Sequence, residues 1–189
     1  PLPLRAATSE ILSENFDFLP LDENIWTVYK NTGFINIEND WITLSSSTKT
    51  YPYIYLREEL TSEGKNCSLE IKFKYKLITP WGVGISVGNS LIPNGTPLNT
   101  YEPLNENGNS IRIWTESTND FRVVYRNCDS KPCLKKKIFS SPPNTDDHLI
   151  KMQFSSQNAE VFLDGILLGS FKLAKNFNVW FGNPVVVQN

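Results

Sequence analysis

Ser110, Arg112, Trp114 and Glu116 alternate with Ile111 and Ile113. In an extended strand, period two gathers the first four on one face and the two isoleucines on the other. A hydroxyl, a guanidinium, an indole and a carboxylate on one face suit a sugar. Its C–H faces pack on an aromatic ring, and its hydroxyls need directional donors and acceptors. Upstream, Val83, Ile85 and Val87 alternate with Gly84, Ser86 and Gly88. Small residues on the polar side of that strand leave room above it. If the two strands lie together, Gly84 and Ser86 form a groove floor, walled by Arg112, Trp114 and the 89–109 connection. Trp81, at the start of the first strand, and Tyr101, in the connection, are further stacking candidates. The plainer alternative has Trp114 covered by that connection as a small second core.

Other chemistry finds less support. Retaining glycoside hydrolysis needs two carboxyl groups about 5 Å apart, and no segment spaces two acids for that. Glu102, Glu106, Glu116 and Asp120 are the acids nearest the groove. Acids can converge from separate strands, so a hydrolase or lyase with a non-standard pair stays as an alternative. His148, the single histidine, follows Asp146 and Asp147 without a nucleophile motif. It reads as a surface residue at a strand start. The Asp pair lacks the alternating acids of a calcium loop. No metal site or cofactor is expected from side chains, while a structural calcium on backbone carbonyls and one Asp stays open.

Cys128 and Cys133 bracket Asp129-Ser130-Lys131-Pro132, a turn sequence. The spacing suits a small disulfide loop between two strands. It suits zinc poorly, with no second Cys pair and one His. Cys67 is left over in a strand-like segment and reads as buried. Asn66-Cys67-Ser68 and Asn94-Gly95-Thr96 fit the glycosylation pattern. Together these features point to an extracellular or cell-surface setting.

The chain has 189 residues, enough for one well-packed β domain. Its 40% hydrophobic content supports a real core. A formal net charge of -2 gives no overall basic field for nucleic acid. Lys135-Lys136-Lys137 is the local exception and reads as a solvated loop or strand edge rather than a polyanion site. No apolar run is long enough to span a bilayer, so membrane insertion is not expected. Residues 1–12 read as a linker or tail, and the Pro1 start suggests a processed terminus or a piece of a longer protein.

The elements that must position these residues are strands. Leu69, Ile71, Phe73, Tyr75 and Leu77 alternate with charged residues, as in a half-buried antiparallel strand. Short alternating runs recur at 33–37, 41–45, 121–127, 149–155, 159–164, 166–171 and 177–182. Asp164-Gly165 between two of them predicts a tight hairpin. The 54–64 stretch could hold a turn of helix; elsewhere no 3.6-residue period persists. An all-β antiparallel sandwich or jelly roll with little helix follows.

The closing run, with its Asp164-Gly165 hairpin and later Gly182-Asn183-Pro184, resembles the last strands of concanavalin A-like lectin and glucanase domains. Phe16-Asp17, Leu21-Asp22 and Trp26 resemble the opening of such modules, so the likeness spans roughly 13–189. The resemblance implies a jelly roll that holds or cuts carbohydrate. Glucanases of that family carry Glu-x-Asp-x-Glu on a cleft strand. The plausible counterpart here has Ser110, Arg112 and Trp114 in place of the three acids. A non-catalytic carbohydrate-binding or adhesion module is therefore expected, with a glycan or polysaccharide as partner. A structural, protein-binding domain of the laminin G-like kind is the remaining alternative, its long 89–109 loop meeting a protein partner.

Overall fold

The computed structural model describes residues 20–29, 34–38, 41–45, 52–62, 67–74, 84–89, 108–117, 120–129, 132–142, 144–155 and 157–182. Among them there are fourteen strands and no helix. In chain order they are β1 (Trp26–Tyr29), β2 (Phe34–Glu38), β3 (Trp41–Ser45), β4 (Tyr53–Leu56), β5 (Leu60–Thr61), β6 (Cys67–Phe73) and β7 (Ile85–Gly88). Then follow β8 (Asn109–Ser117), β9 (Asp120–Asn127), β10 (Leu134–Ser141), β11 (His148–Ser155), β12 (Asn158–Leu163), β13 (Ile166–Lys172) and β14 (Asn176–Gly182).

The larger sheet runs β1-β4-β14-β7-β8-β9-β10, with β5 also on β14, and the smaller runs β13-β12-β11-β6. All pairings are antiparallel. The β2–β3 hairpin stands apart and leans Ile35, Ile37, Ile42 and Leu44 on the core. The two main sheets pack face to face. Ile54, Val87, Ile111, Ile113 and Val123 from the larger meet Ile150, Met152, Val161 and Leu163 from the smaller. Phe154 and Phe177 stack across the interior at 4.4 Å.

The alternation in β6 behaves as its sequence dictates: Leu69, Ile71 and Phe73 pack on the core while Ser68, Glu70 and Lys72 face solvent. The Asp164-Gly165 turn closes β12 on β13 with both residues at positive φ, 51° and 80°. Asp-Gly tolerates that pair of angles. The helical turn expected in 54–64 does not form. Tyr53–Leu56 is a sheet strand and Leu60–Thr61 a short one. Tyr-Ile-Tyr-Leu is strand-favouring, and pairing with β1 and β14 overrides the helix-like Arg57-Glu58-Glu59 that follows.

Candidate functional site

The larger sheet has a second face, turned away from the core. Residues opposite one another on antiparallel strands share a face, so the register can be read as rows. One row runs Thr27, Tyr55, Trp180, Ser86, Arg112, Val124, Lys137. The next runs Asn178, Gly88, Ser110, Arg126, Lys135. None of these residues belongs to the core between the sheets. The two strands singled out in the sequence do pair directly, Ser86 opposite Arg112 and Gly88 opposite Ser110.

The centre of this face is tightly closed. Trp180 is 3% exposed, and its ring stacks on Tyr55 at 4.4 Å and lies 5.3 Å from Tyr53. Tyr55 is half-buried. Ser110 is fully buried, and neither its Oγ nor Trp180 Nε1 has a hydrogen-bond partner among the described residues. Polar atoms buried in that state ordinarily find a partner. Gly88 is needed where β7 meets β8, because a Cβ there would lie 2.2 Å from the Asn109 carbonyl oxygen.

Arginines give the face its charge. Arg112 is half-buried, and its Nε is closed off from water. Burial, and then the like charge of Arg126, hold its pKa down to about 9. Arg126 is buried and donates from Nε to Cys128 Sγ at 3.1 Å and from a terminal nitrogen to Cys133 Sγ at 3.7 Å. Cys128 and Cys133 are joined by a disulfide, so this covalent loop seats the Arg126 head. Arg122, one row along, pairs with Asp120, which also accepts from Ser140 Oγ.

Of the sequence candidates, Arg112 stands in the middle of the first row. Trp114 occupies the β8 position paired with Arg122, and Glu116 lies where the register shifts between Thr115 and Ser117. The strict alternation that groups Glu116 with Arg112 is thus broken by a bulge. The side chains of Trp114 and Glu116, and all of Trp81 and Tyr101, lie outside the described residues, as does most of the 89–109 connection. The ends of that connection are clipped together: Asn109 N donates to Asn89 Oδ1 at 2.8 Å and Asn89 N to the Asn109 carbonyl.

Eight strands in one sheet and four in the other, all paired antiparallel among the described residues, can be compared with known folds. No family model and no curated protein matches the sequence. Solved structures match the fold. A GlcNAcα1-4Gal-releasing endo-β-galactosidase from Clostridium perfringens aligns with TM-score 0.60 at 10% identity over 89% of this chain and 54% of its own. The catalytic domain of an endo-1,3-β-glucanase (laminarinase) from Thermotoga petrophila aligns with TM-score 0.59 at 14% identity, covering 95% and 90%. The carbohydrate recognition domain of Emp47p aligns with TM-score 0.57 at 14% identity, covering 91% and 85%. The chain has the concanavalin A-like jelly-roll fold. It spans about half the length of the endo-β-galactosidase. At these identities the likeness is one of fold, shared by enzymes and a lectin domain alike.

Sequence reasoning missed two features of this jelly roll, one on its outer face and one at the edge of its core. The Tyr53, Tyr55 and Trp180 stack escaped because β4 looked partly helical and β14 is buried on both sides, which erases its alternation. The two tyrosines, spaced by one residue, were the available signal. The second is His148. It begins β11 as expected, but its ring is half-buried, stacked on Phe121 at 5.5 Å. Its Nδ1 lies 2.7 Å from Asp164 Oδ2 and its Nε2 2.9 Å from Asn144 Oδ1. It ties β11 to the hairpin turn rather than standing on the surface. Among the described residues, no three His, Cys, Asp or Glu side chains gather as a metal set.

Proposed function

We propose that the chain is a non-catalytic carbohydrate-binding module of a secreted or cell-surface protein, holding glycan on the outer face of the larger sheet. The observation that carries this reading is the row Tyr55, Trp180, Ser86, Arg112. It sets a partly exposed aromatic ring, backed by a second ring, beside small polar residues and a guanidinium. Trp180 is too buried to meet a sugar; it stiffens Tyr55, which would. Trp81, Tyr101 and Trp114 remain candidate stacking residues on the same argument. The concanavalin A-like neighbours, enzymes and lectin both, act on or recognise carbohydrate by their own descriptions. Screening the folded protein on glycan arrays and insoluble polysaccharides, with calcium supplied, tests the proposal. Binding to a defined glycan class supports it, and absence of binding across broad screens ends it.

Hydrolysis is the second reading, favoured by the enzymes among the neighbours. Against it, the acid described at the β8–β9 end of this face is Asp120, already bonded to Arg122 and Ser140. Glu116 and the 89–109 acids, Glu102 and Glu106, would have to supply the pair. Release of reducing sugar from glucan, galactan or uronate polymers would restore this reading.

A further inference from the structure

The Cys128–Cys133 disulfide and Arg126 form one cluster, and its two sulfurs are not equivalent. Arg126 Nε donates to Cys128 Sγ at 3.1 Å, whereas a terminal nitrogen reaches Cys133 Sγ only at 3.7 Å. The closer contact therefore falls on Cys128. Burial separates the sulfurs in the same sense. Cys128 is 5% exposed, while Cys133 is half-buried and sits between the exposed Pro132 and Leu134. The backbone also fixes Cys128. Its N–H donates to the Gly108 carbonyl at 3.0 Å and to Asn109 Oδ1 at 3.2 Å, which ties it to the start of β8.

In thiol–disulfide exchange a thiolate attacks one sulfur and the other leaves as a thiolate. The rate depends on access to the attacked sulfur and on how readily the leaving sulfur carries negative charge. An adjacent arginine favours that charge, and a hydrogen bond to an ionised acceptor is stronger than one to a neutral acceptor. Both criteria select the same direction here: attack at Cys133, departure of Cys128. The fold also tolerates the break. The two cysteines are five residues apart, and a bond that closes so short a loop removes little entropy from the unfolded chain. Without it, β9 and β10 still pair from Leu134 opposite Asn127 to Ser141 opposite Phe121.

We propose that this disulfide is a thiol–disulfide exchange site, opened at Cys133 by a dithiol, with Cys128 leaving as a thiolate held by Arg126. The first sulfur of the dithiol bonds to Cys133 Sγ as the Cys128–Cys133 bond breaks, and the electron pair of that bond passes to Cys128 Sγ. The second sulfur of the dithiol then displaces Cys133. The protein disulfide is reduced by two electrons and the dithiol is oxidised to its own disulfide. Of the two protons released, one goes to Cys133 and the other to solvent. The reduced state has a consequence on the outer face. In the oxidised protein the charge of Arg126 helps to hold down the pKa of Arg112, one row away. A thiolate beside Arg126 offsets that charge.

The test exposes the folded, full-length protein to dithiothreitol without denaturant, quenches in acid and counts free thiols by mass spectrometry. Circular dichroism follows the fold in parallel. The expected result is reduction of the bond while the strand signal persists. With reduced glutathione in place of the dithiol, the mixed disulfide should map to Cys133. Arg126→Gln should slow reduction roughly three- to thirtyfold. Because that variant removes a buried side chain, a second measurement stands beside it. Cys133→Ser leaves Cys128 as a single thiol at this site, and its ultraviolet thiolate absorbance should already be present at neutral pH. Reduction that proceeds only as denaturant unfolds the chain overturns the inference. Glutathione found on Cys128 overturns the direction of attack. Absence of thiolate absorbance from folded Cys133→Ser at neutral pH overturns the role given to Arg126.

Discussion

Tyr55 and Trp180 share one stack but answer to different forces. Trp180 is held on both sides, so Trp180→Ala opens a cavity and should cost about 3–5 kcal/mol, read as a large drop in melting temperature. Tyr55 is half-buried and outside the core between the sheets. Tyr55→Ala should leave the protein folded and weaken glycan binding roughly ten- to hundredfold, the range for an aromatic stack of about 1–3 kcal/mol. If Tyr55→Ala binds as well as wild type, the sugar does not rest there, and Trp114→Ala becomes the next variant to measure.

Arg112 carries a prediction about pH. Its folded-state pKa, about 9, lies below its ordinary value. Between the two, the unfolded chain binds the extra proton, so stability rises with pH across that alkaline window. Below pH 9 the cost of the buried charge is present in full. Arg112→Gln should therefore melt at or above the wild-type temperature at neutral pH, the opposite of what a structural ion pair would give, and flatten the alkaline rise. A variant that melts several degrees lower would mean that the guanidinium stabilises the fold.

Among the elements, the β12–β13 hairpin depends on its turn. Gly165 has open space around it but a φ of 80°, so Gly165→Val should destabilise by strain alone, about 1–2 kcal/mol in chemical denaturation. Asp164 does more than turn the chain: it accepts from Leu149 N at 2.8 Å and meets His148. Asp164→Asn, which tolerates the same backbone angle, should cost less than Asp164→Ala. Between the sheets' edges, Lys172 Nζ bonds Asp129 Oδ2 at 2.6 Å. That hydrogen bond holds the Asp129 carboxyl below its usual range. Its small contribution is present above the ordinary carboxylate pKa and is lost as pH falls through the lowered one. Asp129→Asn should blunt the acid limb of a stability profile slightly, and less so in high salt.

What the sequence disclosed follows from these elements. β6, β8 and the Asp-Gly hairpin were legible because one face of each strand is apolar and the other polar, or because the turn angle needs special residues. β14 hid the role of Trp180, since a strand buried on both faces has no alternation to read. The outer-face site was half legible. Arg112 and its partner strand followed from period two, but the joining of Arg112, Arg126, Lys135 and Lys137 depends on register between strands, which no local pattern encodes.

On the scale of the whole molecule, β14 lies between β4 and β7 in the middle of the larger sheet. It is the last described strand in the chain and it bonds Tyr53–Gly182, Tyr55–Trp180 and Val87–Val179 across its two sides. Among the described residues, β1 and β4 have no sheet pairing with β7, β8, β9 and β10 until it arrives. A chain emerging from the ribosome therefore holds the two parts of this sheet, with an open edge on each, until residue 182 is free. Pairings this distant in sequence form slowly, on the order of milliseconds to seconds, and exposed edges invite association with other chains. Synthesis order thus makes the last strand the keystone: nascent chains stalled before it should stay open to protease, and protection should appear in one step once it is released.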